Sequence, residues 1–332
     1  MCWKVIPCNF QELNLDITLT CGQSFRWKRA ESGEWVSVFS NVVWMLKQDK
    51  DGNLNYKAYN CKKNTDCQKS KRRKLYLKDT VARNLDGNYS DTDHENMLKE
   101  YFQLKVNLTD LYRDWSEKDD KFNNISKIFN GVRILKQDPV ENLISFICSS
   151  NNNIPRITSM VEKLCSHYGE EGLEINDKIF YTFPSLEKLA EAKVEGELRK
   201  LGFGYRAKYI NQTAAHITKN DPNWLMSLRN ISYEDARKEL LQLPGVGGKV
   251  ADCVCLMSLD KSEAVPIDTH VWQIATRDYL PHLKTKKTMT DKIYLEIGNF
   301  FRNRFGKYAG WAHSVLFAAD LPQFKHLRNE LH

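Results

Sequence analysis

A lysine and an aspartate are the two residues of this chain whose setting most favours chemistry. Lys249 closes the run Leu-Pro-Gly-Val-Gly-Gly-Lys, and Asp268 follows nineteen residues later within Val-Pro-Ile-Asp-Thr-His-Val-Trp. A free lysine has a pKa of about 10.4, so its nucleophilic neutral form is scarce at neutral pH. The first turn of a helix repels a cation, and partial burial also favours the neutral amine. The pair therefore predicts an amine nucleophile and a carboxylate that stabilises developing positive charge.

The position of the lysine depends on two helices joined by a glycine-rich turn. Residues 233–241 and 249–259 have helix-compatible patterns, and the proline and glycines between them predict a tight turn. Such a helix-hairpin-helix leaves backbone N–H groups at the start of its second helix, where the helix dipole favours a phosphate. We therefore expect Gly245, Val246 and Gly247 to bind the backbone of a nucleic acid.

The residues after the lysine suggest a pocket. Cys253 and Met257 follow Lys249 at i+4 and i+8 and share its helix face. Two soft, polarizable side chains beside a nucleophile suit a flat, apolar-faced ligand. The same pattern also fits an alternative in which Cys253 and Met257 are ordinary core and Lys249 extends outward. Asp268 has its own alternative, because it follows Pro266 where a helix N-cap is expected.

Several motifs, in one order along the chain, resemble those of the helix-hairpin-helix DNA glycosylases, and in particular the eukaryotic 8-oxoguanine DNA glycosylases. The likeness covers nearly the whole chain except about residues 60–95. The motifs are 243–257, 265–272, Cys21-Gly-Gln-Ser-Phe-Arg-Trp27, Phe146-Ile-Cys-Ser-Ser-Asn-Asn-Asn-Ile154, Gly202-Phe-Gly-Tyr-Arg-Ala207 and Tyr308-Ala-Gly-Trp-Ala312.

The resemblance implies a bifunctional DNA glycosylase and apurinic lyase that acts on oxidised purines, chiefly 8-oxoguanine, in duplex DNA. Lys249 would expel the base, form a Schiff base with the sugar and permit strand scission by β-elimination. Asp268 would stabilise the positive charge that develops on the sugar. This chemistry requires no cofactor.

The resemblance also implies a pocket for the damaged base, because a base inside a duplex must be extruded before an enzyme can reach it. The Gly22 carbonyl is expected to read 8-oxoguanine, since oxidation converts a ring nitrogen from an acceptor to an N–H donor and glycine permits close approach. Phe317 offers a face for stacking, although an isolated helix phenylalanine is usually core. The expected pocket residues are Gly22, Cys253, Met257, Pro266, Asp268, His313 and Phe317.

His313 departs from the family, which normally has glutamine at this position. A glutamine amide can both donate to and accept from the Watson–Crick edge of a base, whereas neutral imidazole offers one donor and one acceptor in a different shape. A histidine with an ordinary pKa of about 6.5 predicts base recognition that weakens at mildly acidic pH.

Further contacts to the duplex are implied outside the pocket. Asn151 is expected to contact the base opposite the lesion, with Arg156 and Arg206 as companions, and Tyr205 to wedge into the base stack. His270 is expected to contact a phosphate. The structural alternatives are a polar helix end for the asparagines, a purely structural glycine-rich turn around Tyr205, and an ordinary surface or core histidine.

Patterning along the chain predicts an α+β fold. Strand-like stretches at 35–39, 42–46 and 54–59 precede helices, which predicts an N-terminal lobe, residues 1–137, with an antiparallel sheet packed on an all-helical glycosylase body, residues 138–332. Residues 60–95 are polar and charged and are expected to form a flexible insertion.

The net charge of +7 is concentrated in one segment. Eight basic residues and Asp66 lie between Asn60 and Lys78, which gives 8 − 1 = +7 and leaves the remainder neutral. DNA binding must then depend on individually placed cations and backbone N–H groups. We interpret the run 69–74 as a nuclear import signal, the alternative being a solvated loop.

Composition and apolar patterning bear on the state of the cysteines, on metal binding and on membrane insertion. Nine cysteines without regular spacing predict reduced thiols and no metal site. No apolar run approaches the length of a membrane span. We expect a monomer that binds damaged duplex DNA.

Two other functions remain compatible with these residues. A glycosylase for a different damaged base, such as an alkylated purine, would use Asp268 and an activated water and would not need Lys249. A non-catalytic helix-hairpin-helix DNA-binding protein would need neither residue.

Overall fold

The computed structural model describes residues 2–61, 89–175, 178–219, 221 and 223–328. The strands are β1 (Lys4–Ile6), β2 (Lys28–Arg29), β3 (Trp35–Phe39), β4 (Val42–Gln48), β5 (Leu54–Asn60), β6 (Glu171–Ile175) and β7 (Lys178–Tyr181). The helices are α1 (Leu15–Thr20), α2 (Asp91–Tyr101), α3 (Leu108–Lys118), α4 (Asp120–Ser126), α5 (Pro139–Ile147), α6 (Ile154–Tyr168), α7 (Leu186–Leu189), α8 (Val194–Lys200), α9 (Arg206–Lys219), α10 (Trp224–Ser227), α11 (Tyr233–Leu240), α12 (Gly248–Ser258), α13 (Thr269–Asp278), α14 (Asp291–Phe305), α15 (Ala309–Asp320) and α16 (Lys325–Arg328). Within the described ranges, none of the helices has the length and apolar character to cross a membrane.

The chain forms two compact units, each assembled from three separate segments. The sheet unit comprises Met1–Cys8, Phe25–Tyr101 and Cys148–Ser227, and the helical unit comprises Asn9–Ser24, Phe102–Ile147 and Leu228–His332. Both units combine segments from either side of residue 137, and the predicted division into domains at 1–137 and 138–332 stays a prediction. Helices from both sides of that boundary share one core, as the aromatic contacts of the helical unit show.

The sheet unit is built on a five-stranded antiparallel sheet in the order β1-β5-β4-β3-β2. The predicted strands are confirmed, with β4 and β5 extended to Gln48 and Asn60. On one face, Phe39 stacks on Trp44 at 4.9 Å between ring centroids and on Tyr101 of α2 at 4.2 Å.

The other face of this sheet is also buried. Val36, Val38 and Val43 form a cluster against which side chains of the β6–β7 hairpin pack, namely Leu173, Ile175 and Phe180. Burial on both faces explains why β4 begins with consecutive apolar residues instead of alternating with polar ones. The hairpin corrects the prediction of an all-helical body after residue 138, because its short strands carry exposed glutamates that weaken the strand pattern.

The helical unit has an aromatic core made by α3, α4, α14 and α15. The Trp115 and Phe122 rings lie 5.4 Å apart, and Phe122 lies 5.7 Å from Phe305. Phe301 continues this core to His313, with 5.8 Å between ring centroids. The core therefore positions α15, which carries His313.

Both ends of the segment 60–95, which was predicted to be a flexible insertion, lie in regular elements. Asn60 pairs with Val42 at the end of β5, and α2 begins at Asp91. Residues 62–88, including the run 69–74 interpreted as an import signal, lie outside the described residues.

Candidate active site

A cavity within the helical unit brings together the two predicted catalytic residues, Lys249 and Asp268. Every residue predicted for the base pocket also contributes to its wall. The lining residues are Cys21, Gly22, Gln23, Phe146, Lys249, Cys253, Met257, Pro266, Asp268, Val271, His313, Ser314 and Phe317.

Lys249 lies in the first turn of α12, which begins after Gly247 in the N-cap position. Its side chain is partly buried, and Nζ lies 4.5 Å from the centroid of the Phe146 ring on α5. The amine also interacts with the Cys253 thiol one turn further along α12. These contacts direct the amine into the cavity, in contrast to the alternative in which the side chain extends outward.

Asp268 is the N-cap of α13, as the sequence predicts. Its Oδ1 accepts the Val271 N–H at 3.0 Å. The preceding residues, Pro266 and Ile267, are buried and lie outside any helix or strand, and Asp268 itself has an extended backbone. The carboxylate therefore lies where a buried segment leads into a helix. The Asp268 side chain therefore both caps α13 and lines the cavity.

Cys253 and Met257 form an apolar wall of the cavity, with only 2% and 8% of their surfaces exposed. Burial raises the pKa of the Cys253 thiol to about 12, although Lys249 opposes this rise. The thiol is therefore protonated at neutral pH, and a protonated thiol is neither a good nucleophile nor a metal ligand. No group of histidine, cysteine and acidic side chains suited to a metal ion occurs in the described part of the chain.

Gly22 lies in the loop after α1 with a φ of 83°, which strongly favours glycine. The neighbouring Gln23 donates to the Arg133 carbonyl at 2.8 Å. Gln137 donates through its side chain to the Gln23 carbonyl at 2.7 Å and through its backbone N–H to the Met257 carbonyl at 2.8 Å. The Gly22 loop is therefore tied to the end of α12 that lines the cavity.

His313 and Phe317 lie one turn apart on α15, with their rings nearly parallel at 24° and 6.3 Å between centroids. His313 is only 5% exposed, and among the described residues neither ring nitrogen has a hydrogen-bond partner of good geometry. Burial lowers the pKa of His313 to about 4, although Asp268 and the nearby Gly310 carbonyl oppose this change. The prediction of an ordinary pKa was wrong, because the sequence did not reveal that the ring is fully desolvated.

Gly310 explains how α15 comes so close to the segment that leads to Asp268. Its N–H donates to the Ser262 carbonyl at 2.9 Å, and a Cβ at this position would collide with the Ala264 carbonyl. A larger residue would push away the helix that carries His313.

The hairpin turn has the predicted shape, with Gly245 at a φ of 76° and Gly247 exposed. Val246 differs from the expectation. Its side chain is 7% exposed, and its N–H donates to the Leu243 carbonyl at 3.2 Å, inside the turn. Val246 thus stabilises the turn and has no N–H to offer a phosphate. His270 lies partly buried beside Phe317, with 6.2 Å between their rings.

The sheet unit holds the other predicted DNA contacts. Asn151 and Arg156 are exposed, and Asn151 has a φ of 47°. Tyr205 is 47% exposed, and its hydroxyl donates to the Ser150 carbonyl at 3.0 Å. Arg206 is instead 4% exposed; its guanidinium donates to the carbonyls of Ser150 and Asn151, the latter at 3.1 Å. Arg206 therefore supports the loop of Asn151, and its expected contact with the DNA stays a prediction.

Some lining residues were not singled out from the sequence. Gln23 and Phe146 both lie within motifs that carry the family resemblance, and their place in these motifs could have identified them as candidate lining residues. The contact between Phe146 of α5 and Lys249 joins segments that are about a hundred residues apart in the sequence. Helical periodicity within one segment does not predict such a contact.

Comparison with known proteins defines the class to which this fold and site belong. The family model described as "8-oxoguanine DNA glycosylase, N-terminal domain" matches residues 5–143, and that described as "HhH-GPD superfamily base excision DNA repair protein" matches residues 144–298. The hairpin and the cavity are thus those of a helix-hairpin-helix base excision repair protein.

Individual relatives narrow the class further. N-glycosylase/DNA lyase OGG1 of Arabidopsis thaliana is 37% identical, over 98% of this chain and 82% of the relative. N-glycosylase/DNA lyase of Saccharomyces cerevisiae is 38% identical, over 95% and 85%. A solved structure of Clostridium acetobutylicum 8-oxoguanine glycosylase/lyase, in complex with double-stranded DNA containing cytosine opposite 8-oxoguanine, has a TM-score of 0.76 and 27% identity over 96% of this chain and 93% of that one. The chain belongs to the 8-oxoguanine DNA glycosylase family.

Proposed function

We propose that this protein is a bifunctional DNA glycosylase and apurinic lyase that excises oxidised purines, chiefly 8-oxoguanine, from duplex DNA. The observation that carries the proposal is that Lys249 and Asp268 line one cavity whose other walls suit a flat base. Membership of the 8-oxoguanine DNA glycosylase family supports the same activity.

In the first step, neutral Lys249 forms a bond to C1′ of the deoxyribose while the bond from C1′ to the base breaks. The bonding pair leaves with the base, which takes up a proton. The Asp268 carboxylate stabilises the positive charge that develops on the sugar, and this role needs no proton transfer. Partial burial of both groups strengthens the effect, because less water screens the charge.

In the second step, the attached nitrogen loses a proton and its lone pair forms a C=N bond as the sugar ring opens, with O4′ becoming a hydroxyl. The resulting cationic Schiff base makes the C2′ protons acidic. Removal of one of them expels the 3′ phosphate by β-elimination and nicks the strand.

Recognition of the base uses both shape and polarity. Cys253 and Phe317 offer apolar surfaces to the faces of the purine. The Gly22 carbonyl accepts the N7–H that guanine lacks and 8-oxoguanine has. Neutral His313 offers one donor and one acceptor to the remaining edge.

We further propose that the preferred base opposite the lesion is cytosine, as in the DNA bound to the Clostridium relative. Asn151 and Arg156 are exposed on the loop and helix start expected to face that base, and Tyr205 is exposed enough to enter the stack. Arg206 acts through the loop of Asn151.

The test uses duplexes that each carry one defined lesion, with 8-oxoguanine placed opposite each of the four bases and an alkylated purine as the comparison. Free base and nicked strand are scored separately. We expect both products from 8-oxoguanine, most efficiently opposite cytosine. Release of the alkylated purine without nicking, and no action on 8-oxoguanine, would favour the alternative in which Asp268 activates water.

We also propose that the protein acts as a monomer and in the nucleus. The basic run 69–74 supports the location. Sedimentation of the free protein and the distribution of a fluorescent fusion test these two statements.

A further inference from the structure

A buried carboxylate that does not line the cavity lies three residues after Lys249 on α12. Asp252 is 0% exposed. Its Oδ1 accepts from the Tyr233 hydroxyl at 2.8 Å and from Arg237 Nε at 3.1 Å, and its Oδ2 accepts from the Tyr294 hydroxyl at 2.5 Å. Three partners on two other helices, α11 and α14, therefore hold this carboxylate.

The Tyr294 hydroxyl has a second bond that leads to the catalytic segment. It accepts the backbone N–H of Ile267 at 3.2 Å. Ile267 immediately precedes Asp268, so a single hydroxyl joins the helix of Lys249 to the segment that carries the other catalytic residue. Tyr233, by contrast, is bonded to Asp252 from α11, and none of its described hydrogen bonds reaches this segment.

The direction of each bond in this network is fixed by chemistry. The pKa of Tyr294 is raised well above its usual value by burial and by Asp252, so its hydroxyl keeps the proton. Burial raises the pKa of Asp252, while Arg237 and the two tyrosine hydroxyls oppose that rise. The hydroxyl that donates to Asp252 is thereby left with its lone pairs directed at the Ile267 N–H, and buried networks of this kind permit few alternative arrangements.

We propose that Tyr294 is a positioning residue for Asp268, with Asp252 orienting its hydroxyl. The inference rests on the proposed function, because it requires Asp268 to act on the sugar. Electrostatic stabilisation depends on where the carboxylate lies before the reaction, and a misplacement of about 1 Å in an active site can cost about 100-fold in rate. Tyr294 acts on that placement through one backbone N–H, without touching the substrate.

The test compares Tyr294→Phe with Tyr233→Phe. Each variant loses one hydroxyl bond to the same buried carboxylate and keeps its ring, but only Tyr294→Phe also loses the bond to Ile267. Single-turnover release of 8-oxoguanine is measured against enzyme concentration. Tyr294→Phe should lower the maximal rate by about 10- to 100-fold with the half-saturating concentration unchanged, and Tyr233→Phe should leave both near wild type.

A double-mutant cycle then separates positioning from general destabilisation. In the Asp268→Asn background, Tyr294→Phe should cause little further loss, because the group it positions is already absent. Equal slowing by the two Phe variants, or losses that multiply fully in the Asn background, would overturn the proposal.

Two further outcomes keep the test decisive. Wild-type protein that does not release 8-oxoguanine would refute the proposed function itself, whereas an active wild type with an unimpaired Tyr294→Phe variant would refute only the positioning role. If Tyr294→Phe does not fold, hydrogen exchange of the Ile267 amide in the wild-type protein tests the hydrogen bond to Tyr294 instead. The network requires this amide to exchange only on global unfolding, and exchange as fast as that of an exposed amide would contradict it.

Discussion

His313→Gln is the most informative single substitution, because it replaces a buried titratable ring by the amide that the family resemblance leads us to expect at this position. The imidazole is 5% exposed, and burial lowers its pKa to about 4. An unfolded histidine has a pKa of about 6.5. The unfolded state therefore takes up the proton first as the pH falls, and histidine protonation favours unfolding.

The size of the effect follows from these two values. At about pH 8, well above the unfolded pKa, the ring is neutral in both states and its contribution is constant. As the pH falls towards 4, the unfolded form is protonated while the folded form is not. At pH 5 this difference lowers the free energy of unfolding by about 2 kcal/mol relative to pH 8. Glutamine does not titrate, so the variant lacks this loss.

Urea unfolding of both proteins at several pH values between 5 and 8 measures the effect. The difference between the two free-energy curves isolates position 313, because every other titrating group is common to both proteins. We expect wild type to lose about 2 kcal/mol more than His313→Gln over this range. The two pH profiles of 8-oxoguanine excision should be parallel between pH 6 and 8. A constant stability difference, or a relative loss of wild-type excision centred near pH 6.5, would show that the ring is open to water when folded.

Three further outcomes are expected. Asp268→Asn should retain the α13 cap and the melting temperature but release base about 100-fold more slowly, and early melting with normal turnover per folded molecule would make Asp268 a structural cap only. Tyr205→Ala should slow single-turnover excision about tenfold while Tyr205→Phe does not, since the wedge needs the ring; equal rates would exclude a wedge. Residues 62–88 can be replaced by a short linker, because the Asn60 side chain and the Tyr89 carbonyl are only 3.4 Å apart. This replacement should preserve excision on a short duplex and reduce nuclear accumulation, since it removes the basic run 69–74. Loss of excision by the folded variant would implicate the segment in DNA binding.

Local signals in the sequence were sufficient for much of the fold. Apolar runs predicted the bounds of β3, β4 and β5 within about two residues, whereas the short strands β1 and β2 were not predicted. The helices α11 and α12 were predicted within about a residue, because proline and glycine mark the turn between them. The β6–β7 hairpin was missed, since its strands are short and partly exposed. The two compact units were also missed, because their cores combine distant segments.

In the candidate site, too, local spacing was predictable from the sequence, whereas packing between distant segments was not. Helical spacing placed Lys249, Cys253 and Met257 on one face, and all three line the cavity. Burial, however, is a property of packing between helices, so the low pKa of His313 and the loop-supporting role of Arg206 were not evident. Tyr294 could not be found from sequence, because its bond to Ile267 joins residues 27 positions apart.

Borohydride trapping tests the central claim, that Lys249 is the nucleophile, most directly. Wild-type protein mixed with a duplex containing 8-oxoguanine should yield a covalent protein–DNA complex on reduction, and peptide mapping should place the DNA on Lys249. Lys249→Gln should bind the same duplex but release no base and give no complex, because the amine is removed while the hairpin turn is retained. A complex of normal yield with the Gln variant, or DNA attached to another residue in wild type, would contradict the account.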